Sequence, residues 1–373
     1  MILKSNYPDR ATPQFPAMRN VLYLLLSVFI FSCDFDQPDD IISIEVTKDL
    51  VPLADDLITQ LNTYKVPVDA SAVLDIEGIQ RVEKAGDYLT FLMNTPHGQQ
   101  VFSLSGHEVL TTVGRIGDGP GEYRKVVDFY IREDRIAILS ELGYVMEFTH
   151  SGDVLGMRDS PIPLANSFAP IAGGNIFYSN AGNLDRPYRL WWVSAADNTP
   201  KHEALSFDPE KSRIPITGGP AFWEAQGYVT FCEPFSNVAY RIFPQRIDTA
   251  YVLDFGRYAF EEDIYHADAM SAIMRYMDRG FFTLRRFLES SDGKWSYFFL
   301  EKQASDGSVS PLNLFYHRPS GQVYTLPDDA PYRHGAYTTT AEGGWIFPVL
   351  RWQTAAQAEI LTFEEVHLQE PRK

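Results

Sequence analysis

From residue 41 onward, apolar and polar positions alternate with a period of two, in short runs broken by Gly, Asp, Asn and Pro. IISIEVTK (41–48), DYLTFLMN (87–94), QQVFSLSG (99–106) and EVLTTVGRIG (108–117) are the first of them. VVDFYIRED (126–134), RIAILSE (135–141) and YVMEFTHSGDVL (144–155) follow. That period places successive side chains on opposite faces of an extended chain, so each run predicts a strand. The strings FSLSGHEV and FTHSGDVL pair Phe102 with Phe148 and Gly106 with Gly152, an offset of 46 residues. A repeat of that length holding four short strands has the size of a propeller blade.

Later units are more degenerate. NIFYSN (175–180) with RLWWVSAADN (189–198) reads as one blade. GYVTFCEPFSNVAYRIF (227–243) with IDTAYVLDFG (247–256) reads as another. KWSYFFLEKQ (294–303), NLFYHRPSGQVYTL (313–326), GGWIFPVL (343–350) and AEILTFEEVHL (358–368) complete the series. The residues after position 32, at about 45–50 per blade, give six or seven units, and six once insertions are set aside. The prediction is an all-β chain, a single six-bladed β-propeller over 41–373. Strands 41–48 and 358–368 are expected to share one blade and close the ring, because an open blade edge invites aggregation.

One stretch breaks the alternation. Within 258–288, Ile264, Ala267, Met270, Ile273, Met274 and Met277 fall at helical spacing with few turn signals. They predict a short helix inserted between blades, its methionines packing against the fold.

The N-terminus follows different rules. VLYLLLSVFIF (21–31) is an uncharged apolar run, too short to span a bilayer and preceded by Arg19. That is the anatomy of a signal peptide, here assigned to residues 1–32, with Met18 an alternative start. The run ends Ile30-Phe31-Ser32-Cys33, which resembles a bacterial lipobox, although Phe31 departs from its usual small or aliphatic residue. By that resemblance Cys33 becomes the acylated N-terminus and holds the protein on the outer membrane. Residues 33–40 contain four aspartates and read as a solvated tether, similar to the surface-export signal of Bacteroidetes lipoproteins.

Charge narrows the partners. The chain carries a net charge of -17, and residues 1–32 hold Lys4, Arg10 and Arg19 against Asp9, so the remainder stands at -19. Such a body repels phosphate backbones, which argues against nucleic acid. Cys232, the only other cysteine, lies in the apolar run YVTFC and reads as a buried, inert thiol.

The most distinctive string is Arg115-Ile116-Gly117-Asp118-Gly119-Pro120-Gly121-Glu122-Tyr123. It resembles the G-x-G-P-G-E signature of the six-bladed β-propeller lipoproteins of Bacteroidetes, a largely uncharacterised family similar to NHL-repeat propellers. The stretch from Glu233 to Ile242 resembles a strand-turn-strand of the same group. The resemblance implies fold and location far more than activity. Read from its residues, the string is either a tight loop between strands or a ligand contact through Arg115, Asp118, Glu122 and Tyr123 near a central channel. It is neither a P-loop nor a dinucleotide fingerprint, since no Gly-Lys-Ser/Thr and no helical pattern follow.

Other chemistry is sparse. The eight histidines show no HxH or HExxH spacing, and there is no GxSxG elbow, so no catalytic residue, metal or cofactor is assigned. SSDGKW (290–295) reads as a β-turn. Trp191 and Trp192 are adjacent, so in a strand they face opposite sides. One is expected in the core, and the other is a candidate stacking platform for a sugar. The leading reading is a non-enzymatic outer-membrane binding module for a glycan, a peptide or a partner protein. The alternatives are a polysaccharide hydrolase or lyase and an assembly role in the envelope. Carboxylates converging in the central channel would favour an enzyme.

Overall fold

The computed structural model describes residues 41–371, except 49, 68, 69, 71–73, 107, 108, 120, 181–185, 209–218, 234, 261–268, 328, 329 and 355. The expected signal peptide, Cys33 and the acidic tether lie outside the described residues.

The chain opens with three edge strands, β1 (Ile42–Glu45), β2 (Val51–Pro52) and β3 (Ile58–Lys65). Blade 1 follows as β4 (Ile79–Ala85), β5 (Tyr88–Thr95), β6 (Gly98–Ser105) and β7 (Val109–Val113). A short parallel pair, β8 (Arg115–Ile116) and β9 (Glu122–Tyr123), leads to blade 2. Blade 2 is β10 (Val126–Ile131), β11 (Ile136–Ser140), β12 (Tyr144–Phe148) and β13 (Val154–Asp159). Blade 3 is β14 (Ser167–Ile171), β15 (Gly174–Tyr178), β16 (Tyr188–Ser194) and β17 (Pro200–Ser206). Blade 4 is β18 (Phe222–Glu224), β19 (Val229–Cys232), β20 (Val238–Ile242) and β21 (Ile247–Asp254). Helix α1 (Ala269–Arg279) precedes blade 5, which is β22 (Phe281–Glu289), β23 (Trp295–Gln303), β24 (Val309–His317) and β25 (Gln322–Thr325). Blade 6 is β26 (Thr338–Thr339), β27 (Trp345–Gln353) and β28 (Ala358–Leu368). Within each blade, consecutive strands pair antiparallel. The six-bladed propeller expected from the repeat is therefore present. Phe102 and Phe148, the residues that defined the 46-residue offset, both lie in third strands.

Each blade buries both faces against its neighbours, and separate apolar clusters fill the gaps between them. This explains why inner strands such as β11 (IAILS) are buried throughout instead of alternating. The outermost strand β13, with one open edge, reads exposed or half-exposed along its length.

Ring closure differs from the expectation. Residues 358–368 do close the ring, but their partner is β3: Lys65 lies opposite Thr362 and Ile58 opposite Leu368. The predicted first strand, 41–48, forms β1 instead and runs parallel to β21 on the outer edge of blade 4. β2 pairs in the same sense with β25 of blade 5. The N-terminal segment thus covers the outer edges of blades 4, 5 and 6 in turn. Ile44 and Val46 are buried along this path. Period-two patterning marks a strand but not its partner, and an outer edge of another blade satisfies the same backbone groups.

The helical reading of 258–288 also needs trimming. Helix α1 covers 269–279 and stops at Gly280, whose φ of +76° suits glycine. FFTLRRFLE beyond it is β22, paired with β23 from Phe281↔Gln303 to Glu289↔Ser296. Its leucines and phenylalanines sit at spacings that either structure tolerates. The long pairing with β23 decides for the strand.

Candidate functional site

The innermost strands begin around one mouth of the central channel. The segments that enter them are Ile76–Gly78, Lys125, Leu164–Asn166, Gly219–Ala221 and Arg333–Tyr337. Together with turns between second and third strands they enclose a cavity of about 940 Å³, to which every blade contributes. Its size is that of a small-ligand site.

Charge concentrates here in an unexpected sense. Four cations line the cavity, Lys125, Arg285, Arg286 and Arg333, against the three carboxylates Glu77, Glu141 and Glu301. Arg286 lies between two rings, its guanidinium carbon 4.1 Å from the centroid of Phe299 and 3.7 Å from that of Tyr337. It donates to the Ala336 carbonyl at 2.8 Å and thereby fixes the 333–337 loop. Arg285 pairs with Glu301 at 3.3 Å. His334 Nδ1 stands 3.7 Å from Glu77, and burial pushes its imidazole below the ordinary histidine value. Tyr337 Oη donates to the Ile79 carbonyl at 2.9 Å, tying blade 6 to blade 1.

Carboxamides complete the wall. Gln99 Nε2 donates to Gln80 Oε1 at 2.8 Å, while Gln99 Oε1 is buried without a donor. Asn166, also in the lining, accepts the Asn180 N–H on its Oδ1 at 2.8 Å.

Deeper along the innermost strands lies a buried polar network. Arg81 Nη1 donates to Asp128 Oδ1 at 2.6 Å, and Arg81 Nη2 to Glu83 Oε1 at 2.7 Å. Asp128 also accepts the Ser167 hydroxyl and the Phe168 N–H, and Ser167 Oγ accepts the Ala221 N–H at 3.1 Å. These bonds run from blade 1 to blade 4 in sequence. Burial pushes both carboxyls up, Glu83 to about 7, against the pull of Arg81.

The residues singled out from the sequence fall elsewhere. None of Arg115, Asp118, Glu122 and Tyr123 lines the cavity. Arg115 is exposed, and Asp118 is an exposed partner of Arg124. Glu122 folds back over the glycine loop: its Oε2 accepts the Gly119 N–H at 2.8 Å, and a Cβ on Gly117 or Gly119 would strike that carboxylate. Tyr123 is buried, donates to the Val113 carbonyl at 2.7 Å and accepts from Gln100 and the Val101 N–H. The loop reading of the string accounts for these contacts. Trp191 and Trp192 do face opposite sides of blade 3, but both are core, at 3% and 4% exposure. Trp191 fills the gap to blade 2 and Trp192 the gap to blade 4. Each indole nitrogen is satisfied, by the carbonyls of Tyr188 and Phe243 respectively, so neither ring is open for stacking. Cys232 is buried, and its thiol is pushed up to about 12. SSDGKW forms the expected turn, with Asp292 accepting from the Ser290 hydroxyl and the Lys294 N–H. Among the described residues no three His, Cys, Asp or Glu side chains cluster as metal ligands.

Comparison with known proteins gives family and fold. A family described as a domain of unknown function, DUF4934, matches residues 76–343. This span starts where the chain enters blade 1 and stops inside blade 6, leaving out the N-terminal edge strands. No curated protein matches the chain. Among solved structures, a protein from Bacteroides fragilis named as exported aligns with a TM-score of 0.67 at 13% identity, over 88% of this chain and all of its own. A member of the duf4221 family from Bacteroides vulgatus aligns with a TM-score of 0.52 at 8% identity, over 84% of this chain and 98% of its own. Likeness at these identities speaks for the propeller alone.

Proposed function

The chain belongs to DUF4934, a family defined as a domain of unknown function, and from that premise we propose that it is an envelope recognition module that holds its ligand at the channel mouth. The observation that carries this reading is the cavity of about 940 Å³ built from all six blades. A rigid ring that converges loops on one pocket suits binding. The protein is exported and anchored through Cys33, in keeping with the apolar run before that residue and the exported Bacteroides fragilis neighbour. The ligand is a glycan, a peptide or an outer-membrane protein.

Thermal shift of the full-length chain against oligosaccharides, peptides and envelope proteins tests the seat. A ligand at 100 times its Kd adds about 2.7 kcal/mol of stability. Gly219→Trp, placed in open space at the cavity wall, should remove the shift. A shift that survives this substitution places the ligand elsewhere. Palmitate labelling that persists in Cys33→Ala would refute the anchor.

A polysaccharide hydrolase or lyase is the second reading. One observation favours it: Glu83, a buried carboxyl on the innermost strand of blade 1, is raised to about 7, in the range of a general acid. Its partner Asp128 is fully committed to hydrogen bonds, which favours a structural role for the pair. Cleaved ligand recovered from the wild type, and intact ligand from Glu83→Gln, would reverse the order.

A further inference from the structure

We propose that the channel mouth binds an acidic oligosaccharide, with Lys125 and Arg333 receiving its carboxylate or sulfate and Gln80, Gln99 and Asn166 its hydroxyls. This rests on the channel mouth being the ligand seat.

The first observation is charge. The body after residue 32 stands at -19, yet cations outnumber carboxylates four to three around this cavity. Of the carboxylates, Glu301 is paired with Arg285 at 3.3 Å, while Glu77 faces the His334 ring at 3.7 Å and Glu141 has no ion pair among the described residues. Two of the cations make no ion pair among the described residues. Lys125 is exposed, and its ammonium has no ion-pair partner among the described residues. Arg333 touches the neutral ring of its neighbour, Nε to His334 Nε2 at 3.2 Å, and no carboxylate among the described residues. Uncommitted cations in a half-enclosed cavity attract anions more strongly than the same groups on an open surface. Arg286, stacked and bonded to the loop that carries Arg333, holds that cation in place.

The second observation is the carboxamide wall. Gln80, Gln99 and Asn166 line the cavity, and the Gln99 carboxamide is oriented by its Nε2 donating to Gln80 Oε1 at 2.8 Å. Gln80 and Gln99 come from blade 1 and Asn166 from the approach to blade 3, so the groups are spread around the cavity. Spread-out carboxamides match the many hydroxyls of a saccharide, each both donor and acceptor. The rings at the wall, Phe299 and Tyr337, are occupied by Arg286, so recognition goes through charge and hydrogen bonds.

The test is calorimetric titration of the full-length chain in detergent. The ligands are an oligogalacturonate, a sulfated galactan oligosaccharide, a neutral galactan of equal length and an oligoglutamate. At least one acidic saccharide should bind, and the neutral one at least about tenfold more weakly, with affinity falling as salt is added. Whichever acidic saccharide binds identifies carboxylate or sulfate as the anion. Lys125→Glu combined with Arg333→Glu should weaken binding by about tenfold or more with Tm unchanged, since both side chains are exposed. Equal binding of the neutral galactan, oligoglutamate binding as tight as the best saccharide, or no acidic saccharide bound at about 1 mM would each overturn the proposal. Gly219→Trp separates the two levels of failure. A neutral sugar or peptide that this variant blocks leaves the seat standing and removes only the acidic-saccharide assignment. Binding that it leaves intact removes the seat as well.

Discussion

Arg81 Nη1 lies 2.6 Å from Asp128 Oδ1, a bond that crosses from the innermost strand of blade 1 to that of blade 2. Both side chains are essentially inaccessible to water. A propeller has no central core, since its apolar clusters lie between blades. The axis is therefore held by polar groups, and each must be satisfied. Asp128 meets this demand with four donors, from Arg81, Ser167, Phe129 and Phe168.

Breaking the pair should be costly because it strands a buried charge. Arg81→Met leaves Asp128 and Glu83 without their cation, at a cost of about 3–5 kcal/mol. Urea unfolding should show a lower midpoint at unchanged m value. A loss below about 1 kcal/mol would mean that the carboxyls simply take up protons and that the network contributes little.

The same network predicts a pH dependence of defined sign. One guanidinium serves two buried carboxyls. Glu83, whose only side-chain donor among the described residues is Arg81, is the one that holds a proton, with its value raised to about 7 from an ordinary 4.5. The folded state then binds more protons than the unfolded chain between these values. The contribution is present below about pH 4.5 and is lost as pH rises through about 7. Its size is about 3 kcal/mol. Glu83→Gln keeps an acceptor for Arg81 and cannot ionise, so its stability should stay flatter across this window and match or exceed the wild type at about pH 8. Parallel pH profiles for the two proteins would rule the assignment out.

The blade repeat was legible because Phe102 and Phe148 occupy third strands whose turns carry Gly106 and Gly152, both at positive φ. Local chemistry repeats when local structure does. Edge pairing was not legible: IISIEVTK has the right period but contains nothing that selects β21 over β28. The site was illegible for a related reason. Lys125, Arg333, Gln99 and Asn166 are ordinary loop or strand-end residues one at a time, and only ring closure brings them together. The glycine string drew attention through its composition. That composition serves Glu122, whose carboxylate needs bare backbone on both sides.

Substitutions in that string, or at Gly114 just before it, should therefore act on stability and not on ligand binding. A Cβ on Gly114 would sit 2.7 Å from the Tyr123 ring and 3.1 Å from that of Phe148, at a φ of +66°. Gly114→Ala should cost about 2–3 kcal/mol. Glu122→Ala should cost about 1 kcal/mol for the lost Gly119 bond. Arg115→Ala and Asp118→Ala should leave Tm unchanged, as both side chains are exposed. Loss of ligand binding in Arg115→Ala with normal stability would restore a binding role to the loop.

The N-terminal edge strands allow closure and edge cover to be separated. A chain beginning at Leu50 lacks β1 and with it the buried Ile44 and Val46, a loss of about 3–5 kcal/mol that should lower Tm yet keep one cooperative transition. A chain beginning at Pro67 also lacks β3. It loses the Tyr64 and Val66 contributions to the core between blades 6 and 1 and leaves β28 with an open edge. Blade 6 then has only the two-residue β26 beside β27 and β28, and the seam to blade 1 loses part of its packing. An exposed edge beside a weakened seam invites intermolecular pairing. The expected outcome is loss of cooperative melting and aggregation on purification. If the chain from Pro67 melts cooperatively at the temperature of the chain from Leu50, β3 decorates a ring already closed by blades 1 and 6. The Tyr337 to Ile79 hydrogen bond and the contact between Phe91 and Phe363 would then carry the seam without it.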